Sequence, residues 1–151
     1  MSCLIIPPPR KIWARVYHSV AQATSSGAVN FLAFDSEYDD TDSIHSTSVN
    51  NGRLTAQTAG LYEIEYSLEF APHATGSRTV LIRLNGSTYI AATGFQADQN
   101  VGATINVTGG TSYNLGVGDY VELGTFQNSG GNLNVNRASD YATVFMMTKV
   151  G

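Results

Sequence analysis

Residues 61–70 constrain this chain more than any other stretch. Tyr62, Ile64, Tyr66, Leu68 and Phe70 alternate there with Glu63, Glu65, Ser67 and Glu69. Successive side chains of an extended strand point to opposite faces. Period two therefore gathers the apolar residues on one face and the carboxylates on the other. Wound as a helix, the same residues would scatter both kinds around the circumference. The pattern predicts a strand with one face in a core and its carboxylates solvated on the exterior.

Turn-punctuated runs surround that strand. Residues 13–20 are rich in β-branched and aromatic side chains and give way to Thr24-Ser25-Ser26-Gly27; residues 29–34 form a short apolar run. Residues 79–84 precede Asn85-Gly86, a dipeptide favoured in two-residue hairpins, and residues 87–92 supply the returning strand. Residues 103–107 lead to Gly109-Gly110, read as a turn before residues 113–115. Gly116-Val117-Gly118-Asp119 introduces residues 120–127, Gly130-Gly131 introduces 132–135, and 143–150 close the chain. Roughly nine or ten short strands and no convincing helix predict an all-β sandwich or closed barrel. The absence of a fixed-period repeat speaks against propellers and solenoids.

Composition narrows the function. A chain of 151 residues suits one domain with a proper core. Charged residues make up 13%, against roughly 25% in ordinary soluble domains. Part of the surface is expected to be covered, most simply by further copies of the chain. With eight Lys and Arg, a net charge of −4 and no basic stripe interleaved with aromatics, the sequence offers no nucleic-acid surface. Cys3 is the only cysteine, which excludes an intrachain disulfide and a cysteine zinc site. No run approaches the ~20 apolar residues of a membrane helix, so no membrane insertion is expected.

Residues 1–12 differ from the rest. Leu4, Ile5 and Ile6 are followed by Pro7, Pro8 and Pro9, which favour an extended segment that cannot enter a sheet interior. This stretch reads as an attachment arm leading into a domain over residues 13–151. The apolar run is too short for a signal-peptide core. The expectation is synthesis in a host cytoplasm, with any extracellular location reached as part of a larger assembly. Asn85-Gly86-Ser87 and Asn106-Val107-Thr108 are then chance matches to a glycosylation pattern.

Several segments resemble one family in order. Gly60-Leu61-Tyr62 with the alternating strand, Val80-Leu81-Ile82-Arg83-Leu84-Asn85-Gly86, and Leu115-Gly116-Val117-Gly118-Asp119-Tyr120-Val121-Glu122-Leu123 resemble the signatures of C1q-like and tumour-necrosis-factor-like jelly rolls. The apolar terminal strand also fits, although Phe145-Met146-Met147 stands where the family carries a different ending. The run from Asp35 to Asp42, His45, and Arg53-Leu54-Thr55-Ala56 before Gly60 look closest to versions of this domain on bacteriophage tail, fibre and head-decoration proteins. The resemblance implies an antiparallel jelly-roll sandwich, a homotrimer, and placement of Tyr62, Tyr66, Phe145 and Met147 in the core or the trimer interface.

Candidate chemistry is sparse. Asp35, Glu37, Asp39, Asp40 and Asp42 put five of the twelve carboxylates into eight residues. Asp39, Asp40 and Asp42 are candidate calcium ligands, since hard cations take six to eight oxygens; the competing reading is a solvated loop paired to Arg53 or His45. His18, His45 and His73 show no zinc spacing, and no Gly-x-Ser-x-Gly elbow is present. Tyr89, Phe95 and Tyr141 are candidates to lie on loops and contact a partner or stack against a glycan. The sequence thus points to a non-enzymatic virion structural protein: a trimeric jelly roll joined by its arm to other virion components. The alternative is a module binding a host receptor or surface glycan at a fibre tip. A cell-derived C1q-like adhesion domain is a third reading.

Overall fold

The computed structural model describes residues 2–97 and 103–151. Twelve strands form: β1 (Trp13–Tyr17), β2 (Gln22–Thr24), β3 (Val29–Phe31), β4 (Ser36–Asp40), β5 (Arg53–Thr55), β6 (Gly60–Phe70), β7 (Ser77–Leu84), β8 (Thr88–Gln96), β9 (Ile105–Leu115), β10 (Tyr120–Gln127), β11 (Leu133–Val135) and β12 (Val144–Lys149). No helix occurs among the described residues. Residues 2–11 are exposed and carry no strand, and Leu4, Ile5 and Ile6 are 78–85% exposed.

Two antiparallel sheets face each other. The larger runs β2-β11-β6-β12-β1-β4, with β9 pairing along the other side of β6; the smaller runs β3-β10-β7-β8, with β5 also on β10. The central strand β6 behaves as its alternation dictates. Tyr62, Ile64, Tyr66, Leu68 and Phe70 are buried, and they meet Val80, Ile82, Val121 and Leu123 of the smaller sheet in one core. Glu63 and Glu65 face solvent. Glu69 departs from the expected solvated row. It is buried because Asn136 donates to its Oε1 at 2.8 Å and the Tyr141 hydroxyl lies 3.3 Å from its Oε2.

Three other expectations are corrected. Gly109-Gly110 is not a turn but the middle of the eleven-residue strand β9, paired to Tyr66 and Glu65. A Cβ on Gly109 would meet the Tyr66 hydroxyl and one on Gly110 the Ile64 carbonyl, so the glycines mark a close approach of strands. The acidic run is partly strand: Glu37 and Asp39 sit in β4 opposite Val16 and Arg15. The first strand stops at Tyr17, because the Asp35 carboxylate takes both the amide and the hydroxyl of Ser19, at 2.8 and 2.6 Å, and turns the chain there.

Candidate functional site

Alternation on β6 leaves one broad open face on the larger sheet. Its register lines up Asp39, Arg15, Met146, Glu65 and Gly110 across β4, β1, β12, β6 and β9. At this level the face sinks into a hollow of about 430 Å³, lined by Arg15, Glu65, Ser67, Thr108, Tyr141 and Met146 among others.

The connection between β11 and β12, residues 136–143, lies over one end of this face as a strap. Its anchors come from distant parts of the chain. The Arg15 guanidinium donates to the Asp140 carbonyl at 2.7 Å, and Ser67 Oγ donates to the Tyr141 carbonyl at 2.5 Å. The Tyr38 hydroxyl donates to Asp140 Oδ1 at 2.7 Å and accepts from Arg137 Nη2 at 3.0 Å. Tyr17 and Tyr38 stack at 4.5 Å between two guanidiniums, Arg137 at 4.6 Å from the Tyr17 ring and Arg15 at 4.3 Å from that of Tyr38. Cations over aromatic faces add to the charge pairs. The Tyr38 hydroxyl donation, and after it Arg137, holds the Asp140 carboxyl below its ordinary value. Burial, then Asp140, pushes the Tyr38 phenol up.

The strap leaves Tyr141 55% exposed beside the hollow, its phenol pushed up chiefly by the Glu69 charge. Tyr89 is 50% exposed but sits on strand β8, not on a loop. Phe95 is also on β8 and packs against the core, its ring 6.3 Å from that of Phe70, so it is no free contact residue. Tyr62, Tyr66, Phe145 and Met147 all belong to the core, where the Tyr62 hydroxyl donates to the Thr58 carbonyl at 2.6 Å.

The calcium ligand set does not assemble. Asp40 accepts the amides of Asp42, Ile44 and His45 at 2.9–3.1 Å, so both its oxygens fold the loop on itself. Asp42 accepts from Thr58 at 3.0 Å, and Asp39 lies opposite Arg15. No cluster of three or more His, Cys, Asp or Glu side chains suited to an ion occurs among the described residues. His45 does pair with Glu37, at 2.8 Å.

One feature of the sequence becomes meaningful only with the topology. Between Arg83 and Asp119 the chain carries a single charged residue, Asp98. That span contains β8 and β9, the outermost strands on the same side of the smaller and larger sheets. One side of the sandwich is thus built from two long edges without a charged side chain.

Comparison with known structures follows the architecture. Murine APRIL at pH 5.0 superposes with a TM-score of 0.70 at 11% identity, over 93% of this chain and 100% of the other. An Eiger TNF from S. frugiperda gives 0.65 at 11% identity, covering 93% of both chains. The globular domain of zebrafish complement 1qA gives 0.67 at 13% identity, over 94% of this chain and 98% of the other. The fold is a TNF/C1q-like jelly roll. At these identities the likeness is one of fold. No family model matches the sequence, and no curated protein matches it significantly. In the jelly roll the open face and the uncharged side are adjacent, sharing β9.

Proposed function

We propose that this chain is a non-enzymatic structural module that assembles as a homotrimer and decorates or projects from a bacteriophage particle, held by its N-terminal arm. The observation that carries the assembly is the uncharged side formed by β8 and β9. Edge strands expose unpaired N–H and C=O groups, and monomeric proteins blunt them with charge, proline or bulges. β9 runs eleven residues and β8 nine, with no charge or proline in either. A cyclic assembly needs two different patches on each copy, one meeting the other around the ring. The bare side of one copy and the open face of the next supply such a pair. The low overall charge and the family resemblance support the same reading, and the phage setting rests on that resemblance.

The arm supplies the attachment. It leaves the domain beside the end of β12, where the Lys149 amide donates to the Ile12 carbonyl at 2.9 Å. Three consecutive aliphatic side chains held in water are a contact surface awaiting a partner.

The test is solution mass by light scattering after size exclusion. The wild-type chain is expected at three times 16.1 kDa. Ala92→Lys with Thr108→Lys, which places charge on both edges, is expected to give a folded monomer. A wild-type monomer, or a trimer indifferent to both lysines, overturns the assembly. Removal of residues 2–12 is expected to leave the trimer and abolish retention on particles; retention without the arm refutes its role.

A second reading, a glycan- or receptor-binding module, is favoured by Tyr141, exposed beside the hollow at the pole opposite the arm. Glycan-array binding that Tyr141→Ala removes would support it.

A further inference from the structure

A second hollow lies on the smaller sheet, apart from both surfaces above. It forms where the β4–β5 connection curls back over β5, has a volume of about 200 Å³, and its lining includes Arg53, Ser46, Asn50, Thr55 and Gln57. We propose that it binds a carboxylate-bearing sugar, with the Arg53 guanidinium as the anchor for the acid group.

The argument begins with a charge count. Arg83 and Arg53 flank the single carboxylate of Glu122. Arg83 takes most of that carboxylate: its Nε and Nη2 both donate to Oε2, at 3.1 and 2.8 Å, while its guanidinium lies 3.5 Å from the Phe31 ring centre. Arg53 is left at 3.7 Å from Glu122 Oε1, beyond a hydrogen bond. Its side chain makes no hydrogen bond among the described residues, yet its direction is fixed by stacking 4.0 Å over the Tyr120 ring. A held guanidinium presents a planar fork of N–H donors that matches a carboxylate.

The walls suit the remainder of such a ligand. Among the described residues no carboxylate lines the hollow. Ser46 Oγ accepts the Val49 amide at 3.1 Å, which leaves its own proton to donate. Gln57 spends Nε2 on the Ser43 carbonyl at 3.0 Å and keeps its amide oxygen free. The Asn50 and Thr55 side chains have no partner among the described residues. His45 contributes wall only, since Glu37 and the Asn51 carbonyl occupy both ring nitrogens. Ser43 and Asn50 hold left-handed backbone, with φ of 54° and 49°, and this curls the loop round the space. The Arg53 guanidinium together with several hydroxyl and amide donors and acceptors suits a ligand that carries a carboxylate and hydroxyls. The volume lies below the roughly 300 Å³ at which drug-sized sites begin, so a single sugar residue is the expected occupant.

The site rests on no particular assembly, because β10 and β7 separate β5 from the bare edge β8. The experiment is a titration of the intact ¹⁵N-labelled chain with glucuronate or N-acetylneuraminate, read from amide shifts. Saturable shifts at Arg53, Thr55 and Gln57 are expected, with a dissociation constant on the order of 1 mM. Arg53→Met, which keeps the stem over Tyr120, is expected to weaken binding by about tenfold or more. The neutral sugar glucose is expected to produce no saturable shift. Thr55→Val is a second variant, expected to weaken binding if Arg53→Met fails to fold. Absence of saturable shifts, equal binding by glucose, or an Arg53→Met variant that binds like the wild type overturns the proposal. N-acetylglutamate binding as tightly as the sugar acids refutes the sugar class.

Discussion

Gly110→Ala separates the two ways of reading Gly109-Gly110. In most strand interiors, exchanging glycine for alanine gains roughly 0.5–1 kcal/mol, because glycine loses more chain freedom on folding. Here the added methyl would strike the Ile64 carbonyl oxygen and lie 3.0 Å from Glu65 Cα. Both atoms belong to the backbone of β6, which is pinned by β9 on one side and β12 on the other. They cannot swing aside, so β9 must lift. Overpacking of this kind costs about 1–3 kcal/mol, and lifting the strand weakens ladder hydrogen bonds worth about 1 kcal/mol each. After the entropy gain is subtracted, a net loss of about 2–3 kcal/mol is expected. For a chain of 151 residues, that corresponds to a melting temperature lower by about 4–12 °C. Gly131→Ala is the control, since a Cβ there meets nothing within 4 Å; it is expected to be neutral or slightly stabilising. Thermal melts should be run at one protein concentration, because oligomer stability depends on it. If Gly110→Ala melts at or above Gly131→Ala, the close approach of β9 to β6 is refuted.

Other perturbations give independent tests. Burial pushes the pKa of His18 below its ordinary 6.5, outweighing the backbone groups of Val20 and Asn136, which act the other way. The unfolded chain therefore binds this proton more readily. The stability from keeping the ring neutral is full above pH 6.5 and falls as pH drops toward the lowered folded value. Urea midpoints at pH 7.5 and 5 should differ less in His18→Leu than in the wild type; equal differences refute the assignment. Arg78 is fully buried and donates to the carbonyls of His73, Thr75 and Ser77 at 3.0–3.1 Å. Arg78→Met should cost about 2–3 kcal/mol in denaturant unfolding, and Arg78→Lys, which lacks the fork, should not restore it. Asp40→Ala should cost about 2 kcal/mol by freeing three loop amides. Calcium or a chelator should leave the melting temperature unmoved, and a calcium-dependent rise would reinstate an acidic-loop site.

What the sequence revealed depended on how local the deciding contacts were. β6 was legible because alternation reports which face meets water, and that needs no knowledge of neighbours. Glu69 broke the pattern because its cover, Asn136 and Tyr141, arrives from a strap far along the chain. Gly109-Gly110 carries the composition of a turn; only the pairing partner on β6 reveals a crowded strand. Asp39, Asp40 and Asp42 were candidate ligands because five carboxylates within eight residues could offer oxygens to a hard cation. In the fold those carboxylates are engaged by strand pairing, by the amides of residues 42, 44 and 45 and by Thr58. Phe95 was misplaced onto a loop because β8 runs four residues beyond its expected end, far enough to bring the ring against Phe70. Neither hollow could be read in advance, since Arg15 and Glu65 come to one lining, and Arg53 comes beside Glu122, only across strands distant in sequence.

The two edges of the larger sheet are treated in opposite ways, and that asymmetry argues for what covers them. At one edge β4 places Glu37, Asp39 and Asp40 within five residues, and its register against β1 shifts between Arg15 and Val16. Charge and irregularity are the means by which an edge refuses another strand or surface. At the other edge β9 has neither over eleven residues, and β8 beside it, irregular only where its register on β7 shifts between Ile82 and Arg83, extends the uncharged surface onto the second sheet. A solitary domain gains nothing by guarding one edge and leaving the longer one open, since aggregation needs only one. A ring assembly requires this arrangement, because each copy must accept a neighbour on one side and refuse uncontrolled addition elsewhere. In the proposed assembly the uncharged strands β8 and β9 form part of the interface, and lysines placed on them should act on assembly before they act on the fold.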